Sequence, residues 1–86
     1  MQSYLLDEFI FVPSESSNKK YDVYNAKTFK KIASFGDKRY QQYHDKIGYY
    51  HYLNHNDDIR RANYYRRFGK NAKIYTAKWF SHNYLW

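Results

Sequence analysis

Lys20-Tyr21-Asp22-Val23-Tyr24-Asn25-Ala26-Lys27-Thr28-Phe29-Lys30-Lys31-Ile32-Ala33-Ser34-Phe35 carries the period of two that a β-strand requires, twice, around a polar break. Tyr21 and Val23 alternate with Asp22 and Tyr24, so one face is apolar and the other mixed. After Asn25-Ala26-Lys27-Thr28, Phe29, Ala33 and Phe35 fall on one face, and Lys30, Ile32 and Ser34 on the other. Lys31 interrupts the apolar face, and the break lacks the Asn-Gly pair of the tightest hairpins. The stretch still predicts a β-hairpin, ended by Gly36-Asp37.

Downstream the period changes. Asn56 is a suitable N-cap, and Asp57 and Asp58 put negative charge at the N-terminal end of a helix dipole. Arg66 and Arg67 complement the other end, and Gly69 stands where a left-handed C-terminal residue belongs. On this helix Ile59, Ala62, Tyr65 and Phe68 are expected to face inward. Arg60, Asn63, Tyr64 and Arg67 fall on the opposite side, toward solvent or a partner. Between hairpin and helix, Tyr40, Tyr43, Ile47, Tyr50 and Leu53 recur at spacings near three or four, which suggests helical turns broken by Gly48. Trp79 and Phe80, with residues 83 and 84, suit a last helix or turn that docks on the hairpin, and Leu85-Trp86 is expected to be packed.

Upstream, Tyr4 to Val12 is apolar apart from Asp7 and Glu8. Pro13 and Ser14-Glu15-Ser16-Ser17-Asn18 have the composition of a linker. Residues 1–18 therefore read as an apolar, acidic arm and linker, and residues 19–86 as one small basic domain. The other reading makes the arm a first core element. The expected class is α+β: a β-hairpin or small antiparallel sheet covered by two or three short helices.

With 86 residues there is room for one small core, and without cysteine no disulfide can staple it. Aliphatic side chains are scarce, while twelve Tyr, six Phe and two Trp can each bury a large area. An aromatic core with wet hydroxyl ends follows. Net charge is +7, and every Lys and Arg lies beyond residue 18. Such a body favours an acidic partner: nucleic acid, an anionic protein surface or, less readily, a membrane. No apolar run approaches the ~20 residues of a spanning helix, and Met1–Val12 lacks the basic start of a signal peptide.

The chemistry points to binding more than to reaction. Arginine grips phosphate through a planar fork, and tyrosine among arginines offers a surface for unpaired bases. Arg60, Asn63, Tyr64, Arg67 and Lys70, with Lys38 and Arg39, are the candidate nucleic-acid-binding residues. The competing reading puts the tyrosines in the core and leaves the arginines on a merely solvated face. His51 and His55 stand four apart without a third ligand at defined spacing, so no metal is expected. His55-Asn56-Asp57-Asp58 has nuclease residue types, but helix capping explains it more simply. The three glycines stand singly, so no phosphate loop is present. No catalytic residue and no cofactor is assigned, and the chain is not expected to be an enzyme.

Lys20-Tyr21-Asp22-Val23, Ser34-Phe35-Gly36-Asp37, Tyr40, Tyr43, His55-Asn56-Asp57, Arg60-Arg61, Tyr64 and Leu85-Trp86 together resemble the pattern of a small family of short basic proteins. That family is encoded by tailed phages of marine bacteria and by large double-stranded DNA viruses of algae and amoebae, and no activity is assigned to it. The resemblance covers about residues 19–86. An Arg-His pair ends the helix in the family pattern, where this chain has Arg67-Phe68. The resemblance implies a viral origin, with the virion or host-cell cytoplasm as location, and implies no mechanism. Two expectations follow. The first is a viral accessory or virion-associated protein that binds DNA or RNA without sequence preference. The second is a minor structural, capsid-associated protein docking on acidic protein partners, with residues 1–12 also available for self-association.

Overall fold

In a computed structural model, which describes residues 2–86, the expected hairpin is the second half of a four-stranded antiparallel meander. The strands are β1 (Tyr4–Leu6), β2 (Phe9–Pro13), β3 (Lys19–Asn25) and β4 (Lys31–Asp37), in spatial order β1-β2-β3-β4. A 3-10 turn (His51–Leu53) and two helices, α1 (Asp58–Phe68) and α2 (Ala77–Tyr84), follow. The class is α+β, as expected.

Of the expected arm and linker at 1–18, the described residues 2–18 are not apart from the body. Phe9 and Phe11, on alternate positions of β2, are both buried in the core. Pro13 does not break the strand but closes it, opposite Tyr21; a proline is tolerated at a strand end. Asp7 takes a left-handed φ of 56° in the two-residue turn that brings Leu6 opposite Phe9; Asp accepts that conformation better than most residues. The serine-rich stretch is a tied turn. Ser14 N–H donates to Lys20 O at 2.9 Å, and Lys38 Nζ donates to the carbonyls of Ser14 and Ser16 at 2.9 and 2.7 Å.

The β3–β4 turn is set by Asn25, whose side-chain oxygen accepts from the N–H groups of Lys27 (2.8 Å) and Thr28 (3.0 Å). An asparagine in this role replaces the missing Asn-Gly pair. Phe29 lies in this turn with φ of 60° and points outward, 71% exposed. It precedes β4, so the alternation that places Ala33 and Phe35 does not extend to it.

The core is aromatic. Phe35 stacks on Phe80 of α2 at 5.5 Å between centroids, and Phe11 meets both edge-on. Edge-to-face pairs suit the ring quadrupoles. α2 packs against β4, with Phe80, Tyr84 and Leu85 buried and Trp79 half-buried. The wet ends are also present: the Tyr84 hydroxyl donates to the Asp7 carboxylate at 2.5 Å, and the Tyr21 hydroxyl donates to Asp45.

Residues 38–56 form no α-helix, contrary to the tyrosine spacing. The rings of that series point different ways, Tyr40 being 62% exposed and Tyr50 only 6%. Polar groups hold the segment instead. Gln42 and Asp45 are buried. Gln42 Nε2 donates to Tyr50 O (2.8 Å) and to Asn54 Oδ1 (2.6 Å), which also accepts from Asp45 N–H (2.7 Å). Asp45 accepts from the N–H groups of Ile47 (2.9 Å) and Tyr50 (2.8 Å). Lys20, 2% exposed, lays its stem over Gly36 and donates to Tyr40 O (2.8 Å) and Gln42 Oε1 (2.5 Å).

Burial lowers the Lys20 pKa to about 8, against the opposing pull of Asp45 and Asp37. The unfolded chain therefore holds a proton on this lysine over a range in which the folded chain has lost it. Stability from this group rises as pH climbs from about 8 toward 10.5. Between pH 7 and 9.5 the rise should be about 2 kcal/mol by linkage. Above about pH 10 the buried tyrosines reverse it, because Tyr21, Tyr64 and Tyr84 are all held protonated by burial. Urea midpoints measured at pH 7 and 9.5 check this: the parent should gain and Lys20→Met should stay flat. An equal response in both would assign the effect to other groups.

Candidate nucleic-acid interface

α1 is capped by Asp57 and not by Asn56. The Asp57 carboxylate accepts from the N–H groups of Ile59 (2.9 Å) and Arg60 (3.2 Å), while Asn56 adopts a left-handed φ of 51°. Gly69 ends the helix with φ of 75°, its N–H on Tyr65 O. The inward face differs from the expected one. Ile59 and Phe68 are 74% and 45% exposed, Ala62 is exposed, and no residue of the helix is fully buried. The helix meets the body through Arg61, Tyr64 and Tyr65, because the surface it meets is polar and aromatic. The Tyr64 ring lies flat on Trp86 at 4.3 Å and 4°. Its hydroxyl bonds His82 Nδ1 at 3.0 Å, and the Tyr65 hydroxyl donates to His82 O at 3.1 Å. His82 Nε2 donates to Gly69 O at 2.9 Å, since a carbonyl can only accept. That fixes Nδ1 as the acceptor for Tyr64. Burial keeps His82 neutral to lower pH than usual and pushes the Tyr64 phenol up to about 12.

Tyr64 thus stands corrected as a solvent-facing stacking platform. Two other expected residues also have internal work. Lys38 secures the 14–18 turn, and Arg39 grips Asp37 through Nε (3.1 Å) and Nη2 (2.9 Å). That pairing holds the Asp37 carboxyl down at about 2. Arg60, Asn63, Arg67 and Lys70 are exposed, as expected.

Uncompensated charge dominates this face. Among the described residues there are two ion pairs, Lys31–Asp22 at 3.7 Å and Arg39–Asp37 at 2.9 Å. None of the four arginines of α1 pairs with an Asp or Glu side chain. Arg60 donates to Gln41 Oε1 (2.8 Å), Arg66 to Asn63 Oδ1 (3.0 Å), and Arg67 lies over the Phe68 ring at 5.2 Å. Asp57 is occupied by the cap, and Asp58 accepts from the Tyr43 hydroxyl at 2.7 Å.

Arg61 was missed because it falls on neither expected face. Its Nε donates to Trp86 O at 2.7 Å, and its guanidinium lies over Tyr43 at 5.0 Å and Tyr65 at 5.5 Å. The i, i+4 spacing of Arg61 and Tyr65 was the available signal. Beside it a cleft of about 560 Å³ opens between residues 43–46, α1 and the end of α2. Its far wall is placed by main-chain bonds, His44 N–H to Leu85 O (3.0 Å) and Lys46 N–H to Tyr84 O (2.9 Å). His51 Nδ1 bonds Gly48 O (2.9 Å), and His55 Nδ1 accepts from Asp57 N–H (3.0 Å). Among the described residues no group of three or more His, Cys, Asp or Glu is placed to hold a metal.

No family model, curated protein or solved structure matches the chain.

Proposed function

We propose that the chain is a non-enzymatic nucleic-acid-binding protein whose contact surface is the outer face of α1. The observation that carries this reading is the set of outward helix arginines, Arg60, Arg66 and Arg67, with no Asp or Glu partner on a domain of net charge +7. Guanidinium groups left this way can neutralise phosphates and release the counterions condensed on a nucleic acid, which drives binding without sequence preference. Exposed rings nearby, Tyr40 and Phe68, offer stacking to unpaired bases. No helix among the described residues is long and apolar enough to cross a membrane. The resemblance to phage and large-virus proteins supports a viral accessory or virion-associated role, in the virion or host-cell cytoplasm.

The test is a titration of single- and double-stranded DNA and RNA at several salt concentrations, for the parent and for Arg60→Ala with Arg67→Ala. Both side chains are exposed, so the fold is expected to persist. Loss of two phosphate contacts should flatten the log–log salt slope for duplex DNA by about 1.8. An unchanged slope and affinity in the folded variant removes α1 from the surface. Absence of binding to any polymer leaves an acidic protein as the partner of this face.

A further inference from the structure

We propose that the cleft beside Arg61 is a site for a phosphate monoester, the terminal phosphate of a nucleic-acid strand or of a free nucleotide. The proposal deepens the nucleic-acid reading and rests on it for the polymer that carries the phosphate.

Arg61 is the centre of the argument. Its Nε is fixed on Trp86 O and its plane is held against two tyrosine rings, so little rotamer freedom remains to be lost on binding. The guanidinium pairs with no Asp or Glu among the described residues, and the Tyr65 hydroxyl lies within its reach. An arginine immobilised by one edge, with the other edge against a neutral hydroxyl, can exchange that hydroxyl for phosphate oxygens, which its two-pronged fork matches. Lys46 adds a second cation to the lining, and no Asp or Glu lines the cleft. Asp58, one helical turn before Arg61, is turned to the Tyr43 hydroxyl. Asn56 contributes an amide whose side chain makes no hydrogen bond among the described residues, on a backbone anchored to Tyr43 O at 3.0 Å. A volume near 560 Å³ lies within the size of ordinary small-ligand sites.

The aromatic lining argues for phosphate recognition and against base recognition. Trp86 has Tyr64 stacked on one face at 4.3 Å and His55 tilted against it at 5.2 Å, which crowds it as a platform for a base. Tyr65 is covered by His82 at 4.9 Å and Tyr64 at 5.2 Å. The rings hold the fork; they offer no platform. A monoester carries close to two charges at neutral pH and more free oxygens than a diester within a strand, which suits two cations converging on one cleft.

The experiment compares oligonucleotides of one sequence bearing a 5′-phosphate, a 3′-phosphate or neither, by fluorescence anisotropy at fixed salt. A companion NMR titration uses inorganic phosphate, 5′-AMP and adenosine, observing the Arg61 Nε–H and Trp86 indole signals. A terminal phosphate should raise affinity about tenfold, the worth of one charge-assisted contact pair. Arg61→Gln should abolish that preference. Lys46→Gln should reduce it, and this variant covers the case in which loss of Arg61 unfolds the chain, since Lys46 anchors the fold only through its main chain. 5′-AMP should shift both signals where adenosine does not; an equal response to inorganic phosphate identifies the free ion as a sufficient ligand. Equal affinity for all three strands, with no response to 5′-AMP, overturns the cleft site and leaves the helix-face reading untouched. A response to 5′-AMP without binding of any strand keeps the site, assigns it to free nucleotides, and overturns the polymer reading alone.

Discussion

Deleting residues 1–13 is expected to abolish folding. The deletion removes β1 and β2 and with them Phe9 and Phe11, the latter in contact with Tyr21, Phe35, Phe80 and Tyr84. Truncating one buried Phe costs about 3–5 kcal/mol, and small domains hold about 5–15 kcal/mol in all. Two such losses, together with the exposure of Tyr21 and Val23 on a β3 that has lost its neighbour, exceed what remains. Circular dichroism of the shortened chain should show no cooperative thermal transition, and its amide NMR spectrum should collapse to unfolded dispersion. A truncated chain melting within a few degrees of the parent would restore the arm and overturn this account of the sheet.

Asp45→Ala should cost about 3–5 kcal/mol, comparable to loss of a core ring. The carboxylate is 3% exposed and accepts from the Tyr21 hydroxyl and from the N–H groups of Ile47 and Tyr50. Alanine leaves three donors without an acceptor, two of them buried, and each buried orphan is expensive. The buried Lys20 ammonium also loses a stabilising charge. Chemical denaturation measures the loss, and hydrogen exchange at Ile47 and Tyr50 locates it. Asp37→Ala is the control. Its partner Arg39 sits at the surface, where such pairs contribute about 1 kcal/mol or less. If both substitutions cost the same, the polar network is not what holds residues 38–56.

The legible parts of the fold were those written in local pattern. Tyr21, Val23, Ala33 and Phe35 alternate, and the helix at Asp58–Phe68 is bracketed by a cap and a glycine. Phe9 and Phe11 alternate as well, but Pro13 and the serines after it obscured their membership of the sheet. Turn residues and linker residues are the same types, and only tertiary bonds such as Lys38 to Ser14 O separate them. Residues 38–56 were illegible for a different reason: Asn54 satisfies Gln42 and Asp45 across gaps of twelve and nine residues, and no periodicity encodes that. At the candidate site the outward arginines could be read from charge. The role of Tyr64 could not, because its partners His82 and Trp86 lie on α2 and just beyond it.

The bond between Asp7 and Tyr84 joins positions 77 residues apart, and it closes over a core whose last members are Phe80 and Leu85. A ribosome releases residues in order, so the four strands emerge with their apolar face uncovered well before α2 arrives to shield it. Until then the nascent meander exposes Phe11, Val23 and Phe35 together on one flat side, the type of transient surface that chaperones hold and that drives misassembly. Folding thus waits on the emergence of α2, and closing the Asp7–Tyr84 contact carries the entropy of a loop that long. A fusion that slows or displaces α2 prolongs that exposed interval, whereas one placed ahead of β1 does not.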